Sequence, residues 1–160
     1  MMEWNRPRSV RQIGSVPGRE RIYVEDYVMR FAKRLAAKQS DNEKAAMLLG
    51  NQYHYNGQKI VQISGIVEIP QFARRNSPVL SPQSWDSVYT EIKENFTDLD
   101  IVGWFYTARD FDRQDAGKLL EIHKANFQHR DKVLYILDEK EQEDGMFLYH
   151  MGNFERQQGY

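Results

Sequence analysis

The sequence predicts a single mixed α/β domain, with helices covering the faces of a β-sheet. Three observations predict it. Segments of helical and strand-like apolar patterning follow one another in the order helix, two strands, helix, strand, helix, two strands. The middle segment, Ile101 to Tyr106, is apolar at nearly every position, as expected of a strand covered on both faces. The length of 160 residues with 41% hydrophobic content suffices for one real core but not for a second full domain.

The elements follow in order. Residues 1–20 carry Pro7, Gly14, Pro17 and Gly18 among arginines, show neither periodicity, and read as a flexible N-terminal arm. The domain is expected over 21–160; an ending on Gln157-Gln158-Gly159-Tyr160, soon after a strand-like segment, leaves a continuation open. From Glu25 to Lys38, Tyr27, Val28, Phe31, Leu35 and Ala36 recur at three- and four-residue steps and predict an amphipathic helix, ended by Ser40-Asp41-Asn42. Ala45 to Leu49 is an apolar run closed by Gly50, and Lys59 to Ile69 follows it across Asn56-Gly57, a strong hairpin signal. Pro70 to Pro82, with Arg74-Arg75-Asn76-Ser77-Pro78, is a loop leading to Ser81, a good N-cap ahead of Pro82. The helix from about Pro82 to Asn95 is expected to bury Trp85, Val88, Tyr89 and Ile92, and Ile101 to Tyr106 to lie at the sheet centre. A third helix from about Arg113 to Phe127 presents Ala116, Leu119, Leu120, His123 and Phe127; Lys132–Leu137 and Met146–Met151 form a last strand pair.

Composition narrows the function classes. A net charge of −1 with both signs mixed along the chain argues against nucleic acid as a partner. Without cysteine there is no disulfide, thiol nucleophile or cysteine-held metal, and only His, Asp and Glu remain as metal ligands. No stretch approaches the roughly 20 apolar residues that span a bilayer, and the first residues lack a signal-like apolar region, so no membrane contact is expected within this segment and a cytoplasmic location is.

Two strings carry a family resemblance. Glu43-Lys44-Ala45-Ala46-Met47-Leu48-Leu49-Gly50 resembles the opening strand of the JAB/MPN (JAMM metalloprotease-like) domains, where a Glu precedes an apolar run ending in Gly. Ile101-Val102-Gly103-Trp104-Phe105-Tyr106-Thr107-Ala108-Arg109 is similar to the family's central strand, in which Gly-Trp leads into His-x-His-Pro. The resemblance covers about Arg21 to Met151 and implies a curved mixed sheet with helices on its faces, the MPN/JAB-like (cytidine deaminase-like) architecture. In active members, as the resemblance implies, the two His and an Asp of the next helix hold zinc, while the Glu acts as general base on the metal-bound water. Here the His positions are Tyr106 and Ala108, and the Pro is Arg109. The Asp corresponds to Asp115 of Asp112-Arg113-Gln114-Asp115 only if a loop is shortened; otherwise Leu119 falls at that position. Glu43 and Asp115 are then vestigial at most, and two carboxylates fall short of the three protein ligands of a typical zinc site.

The sequence therefore points to an inactive, metal-deficient member with no cofactor and no metal, acting as a scaffold by binding a protein partner or by self-association. One alternative is a peptidase- or isopeptidase-like hydrolase with a rebuilt metal or acid/base site around Glu43 and Asp115. A second is a small-ligand sensor using the cleft of Glu43, Tyr106, Arg109, Asp112 and Asp115. Plainer readings stand beside these. Asp112 and Asp115 suit a helix N-terminus. Glu43 is either a polar residue at an exposed strand end or a relic bonded to Tyr106, and Arg74-Arg75 is either a solvated loop or a contact for an acidic partner. His54, His123, His129 and His150 show no shared metal-ligand spacing. Trp85, Trp104, Phe105 and Tyr106 read as interior, whereas Tyr53, Tyr55, Phe72 and Phe154, if exposed together, would mark a contact surface.

Overall fold

The computed structural model describes residues 10–13, 21–38, 43–109, 115–127, 132–138, 140–141, 143–150 and 153–157. Its strands are β1 (Val10–Ile13), β2 (Arg21–Glu25), β3 (Glu43–Tyr55), β4 (Gln58–Glu68), β5 (Asp100–Ala108), β6 (Val133–Asp138), β7 (Glu143–His150) and β8 (Asn153–Gln157). The helices are α1 (Asp26–Ala37), α2 (Pro82–Asn95) and α3 (Asp115–Asn126), with a 3-10 turn at Phe72–Arg74. The strands form one mixed sheet in the order β1-β2-β4-β3-β5-β6-β7-β8, parallel at β2–β4 and β5–β6 and antiparallel elsewhere.

Each face of this sheet is buried by different helices. On one side Val28, Ala32 and Leu35 of α1 pack on Ala46, Leu48, Val61, Ile63, Phe105 and Tyr135. On the other, Val88 of α2 and Leu119 and Ile122 of α3 pack with Phe72 on Ala45, Met47, Leu49, Trp104, Tyr106 and Leu134. Successive residues of β3 alternate between the two cores, as the period of two in a strand requires. The continuous apolar run Ala45–Leu49 thus follows from burial on both faces.

Two irregularities set the phase of this alternation. The β3–β4 register shifts between Leu49 and Gly50, and the β3–β5 register between Leu48 and Leu49. A bulge of this kind re-aims the side chains beyond it. Past the shift, Trp104, Tyr106 and Ala108 all lie on the α3 face, opposite the start of β3. Gly103 is needed where β5 runs beside β6, because a Cβ there would come within 2.3 Å of the Val133 carbonyl oxygen. At the β3–β4 turn, Asn56 and Gly57 both take positive φ, as the Asn-Gly signal required.

Several sequence expectations need correction. Val10–Ile13, assigned to the flexible arm, is an edge strand paired antiparallel with β2. Neither β2 nor β8 was foreseen, and β3 extends to Tyr55, which places His54 within a strand. Tyr89 is 56% exposed instead of buried. It stacks on the half-buried Trp85 at 5.7 Å, four residues earlier on the outer flank of α2. Ala116 also faces solvent. Ser81 caps α2 as expected, its hydroxyl accepting from the Ser84 N–H at 3.1 Å.

Candidate functional site

The β3–β5 register places Glu43 directly opposite Ala108 and Ala45 opposite Tyr106. Glu43 and Tyr106 are therefore diagonal neighbours on the face covered by α3, close enough for long side chains to meet. They do meet: the Tyr106 hydroxyl donates to Glu43 Oε2 at 2.7 Å. Lys118, on the first turns of α3, places its Nζ 2.6 Å from the same oxygen. Arg75, just past the 3-10 turn, donates from Nη1 to Glu43 Oε1 at 2.5 Å and to the Phe72 carbonyl at 3.0 Å. Its guanidinium lies over the Phe72 ring, 4.2 Å from the centroid, a cation–π contact that fixes its plane.

Both oxygens of Glu43 are thus held by donors: two cations and a phenol. Only 10% of its side chain is exposed, 12% of that of Arg75 and 40% of that of Lys118. Burial pushes the Glu43 carboxyl up, but hydrogen bonds from Lys118, Tyr106 and Arg75 and the Arg75 charge outweigh it, leaving the group below its ordinary value. Glu43 is a buried anion fixed in place. That disposes of the exposed-strand-end reading for Glu43 and of the solvated-loop reading for Arg75; Arg74 does face solvent.

Ala108 is buried and Arg109 is exposed beyond the end of β5. Asp115 is the first residue of α3, whereas Asp112 and His129 lie outside the described residues, as do the side chains of Asp115 and His150. His54 is exposed on β3. His123 is buried on α3, its Nδ1 accepting the Trp104 indole N–H at 3.0 Å, and it stacks on Tyr149 with ring centroids 5.5 Å apart. Phe72 is buried against Trp104 and Tyr106, and the half-buried Phe154 packs edge-on to His123, so these two do not join Tyr53 and Tyr55 in one exposed patch. Among the described residues no group of three or more His, Asp or Glu side chains converges as a metal would require. Lysine and arginine head groups stand at Glu43 instead, which does not fit a dication.

Sequence reasoning did not find Lys118. Its only signal was its place one turn after Asp115, on the flank of α3 that turns toward the sheet.

No family model matches the chain, and no curated protein matches it. The fold is similar to that of a solved structure, the solution structure of protein DSY2949 from Desulfitobacterium hafniense, a structural-genomics target. The two share 12% identity with a TM-score of 0.56 over 84% of this chain and 88% of that one. At that identity the likeness concerns the arrangement of strands and helices, and it agrees with the mixed sheet described above.

Proposed function

We propose that the chain is a non-catalytic, MPN-like domain that works by binding, as a partner of a second copy of itself or of another protein. The observation that carries this reading is the state of Glu43. A general base works best with a pKa near the operating pH and needs a free oxygen within reach of the proton it removes. Glu43 has the opposite character, since Lys118, Tyr106 and Arg75 stabilise its charged form and use both its oxygens. In the family that Glu43 and Gly103-Trp104 resemble, catalysis needs imidazole at the positions of Tyr106 and Ala108. Here one position supplies a phenol bonded to Glu43 and the other a methyl group. The same features weigh against the hydrolase alternative.

The outer surface of α2 supports a binding role. The stacked Trp85 and Tyr89, with Val79, which is 55% exposed, Ile101 and Lys132, line a groove of about 500 Å³. Aromatic side chains are enriched in the centres of protein interfaces. Among the described residues no helix is long and apolar enough to cross a membrane.

Size-exclusion chromatography with light scattering tests the self-association form. A dimer that reverts to monomer in Tyr89→Asp is expected; a wild-type protein that stays monomeric at high concentration removes that form of the reading. Elemental analysis is expected to return no stoichiometric transition metal, and a bound ion would overturn the non-catalytic assignment.

A further inference from the structure

We infer that the Glu43 cluster is the floor of a receptor for a small carboxylate. Glu43 holds Arg75 Nη1 on one oxygen and Lys118 Nζ on the other, at 2.5 and 2.6 Å. The two cations are therefore anchored on the two sides of one carboxylate, and a second carboxylate approaching from the open side meets donors already held in place. The counted charges are two positive and one negative, which leaves the cluster one positive charge in excess. Both cations have donors left over. Arg75 uses Nη1 on Glu43 and the Phe72 carbonyl, and among the described residues its Nε and Nη2 make no bond. Lys118 has three N–H donors and spends one on Glu43.

The space beside them has the right size. A cleft of about 250 Å³ opens on Glu43, Arg75 and Lys118, lined also by Asn76, Ser77 and Glu121. That volume is below the usual range for drug-sized ligands, roughly 300–1,000 Å³, and suits a short acid or the last residue of a peptide. Glu121, exposed one turn along α3 from Lys118, adds a negative charge at the mouth. With Glu121 counted the lining carries two positive and two negative charges, so a dianion such as phosphate gains no net attraction from its second charge and feels Glu121 twice as strongly as a monocarboxylate does. The site goes beyond the scaffold reading and is independent of it, because it requires neither a dimer nor an inactive ancestor.

NMR titration of the isotope-labelled chain with N-acetylglycine, against N-acetylglycinamide as the neutral control, tests the inference. Saturable shifts around Arg75 and Lys118 are expected with a Kd on the order of 1 mM, and the amide should bind about tenfold more weakly or not at all. Lys118→Met should weaken N-acetylglycine by about tenfold through loss of one charge-assisted bond. Glu121→Gln should tighten inorganic phosphate more than N-acetylglycine. A tetrapeptide with a free C-terminus that binds more tightly than N-acetylglycine identifies a chain terminus as the natural ligand, and one that binds no better identifies a free small acid. Equal response to acid and amide, or a Lys118→Met protein that keeps its fold and titrates like wild type, overturns the proposal. Failure here leaves the light-scattering result for the dimer untouched, so the two readings are refuted separately.

Discussion

Replacing Glu43 by glutamine keeps the shape of the side chain and removes its charge, and the consequences follow from the three partners. Arg75, Tyr106 and Lys118 all donate to the carboxylate. An amide has one accepting oxygen and an NH2 that can only donate, so one side of it must face a donor. The less costly orientation turns the oxygen to Arg75, whose side chain is only 12% exposed, and the NH2 to Tyr106 and Lys118. Tyr106 can rotate its hydroxyl to accept. Lys118, at 40% exposed, can swing into water. What is lost is the charge on the Arg75 bond and the whole Lys118 bond. Charge-assisted hydrogen bonds contribute about 1.5–3 kcal/mol each, and rehydration of Lys118 returns part of that, so a destabilisation of about 2–4 kcal/mol is expected. Urea unfolding followed by tryptophan fluorescence measures it, with the midpoint moving and the slope unchanged. A shift below about 0.5 kcal/mol, the ordinary range for surface substitutions, would refute the claim that Glu43 is a buried, fully bonded anion.

Further outcomes follow from the same geometry. Because the folded-state pKa of Glu43 is depressed, its contribution is present above the ordinary carboxylate value of 4.5 and is lost as pH falls through the lower folded value. The stability gap between wild type and Glu43→Gln should therefore stay constant from neutral pH down to about 4.5, narrow as pH falls toward the lower folded value and be closed below it, as read from urea melts across the acid range. Gly103→Ala should cost about 1–3 kcal/mol by forcing β5 away from Val133, measured as a lower thermal midpoint. Trp104→Phe removes the donor to the buried Nδ1 of His123 and should cost at least the roughly 1–3 kcal/mol of an unsatisfied buried acceptor. Ser81→Ala removes the cap of α2 and should cost about 1 kcal/mol, with the loss visible first in hydrogen exchange of the first helical turn.

Legibility varied with the range of the interaction that decides each feature. The start of α2 was readable because Ser81 and Pro82 act on their own backbone, and the β3–β4 hairpin because Asn56-Gly57 sets its own dihedrals. The edge strand β1 was not, since Val10–Ile13 owes its structure to pairing with β2 and carries no pattern of its own. Tyr89 was misplaced because a four-residue spacing from Trp85 is satisfied equally by a core-facing stripe and by two rings stacked on the outside. At the site, Glu43 and Tyr106 stood out from local strings, but Lys118 reaches Glu43 across 75 positions of sequence and Arg75 across 32.

By itself the sequence determined the fold class, the order of its main elements, and that the middle strand ends in a phenol and a methyl group, Tyr106 and Ala108. Those are properties of periodicity, turn chemistry and residue identity, each contained in a few neighbouring positions. Tertiary structure alone decided that Glu43 is a buried, ion-paired carboxylate rather than a surface residue. The protonation and reach of a carboxyl depend on which charges the fold brings beside it, and here the sheet register and the docking of α3 bring Lys118, Arg75 and Tyr106 to the same two oxygens.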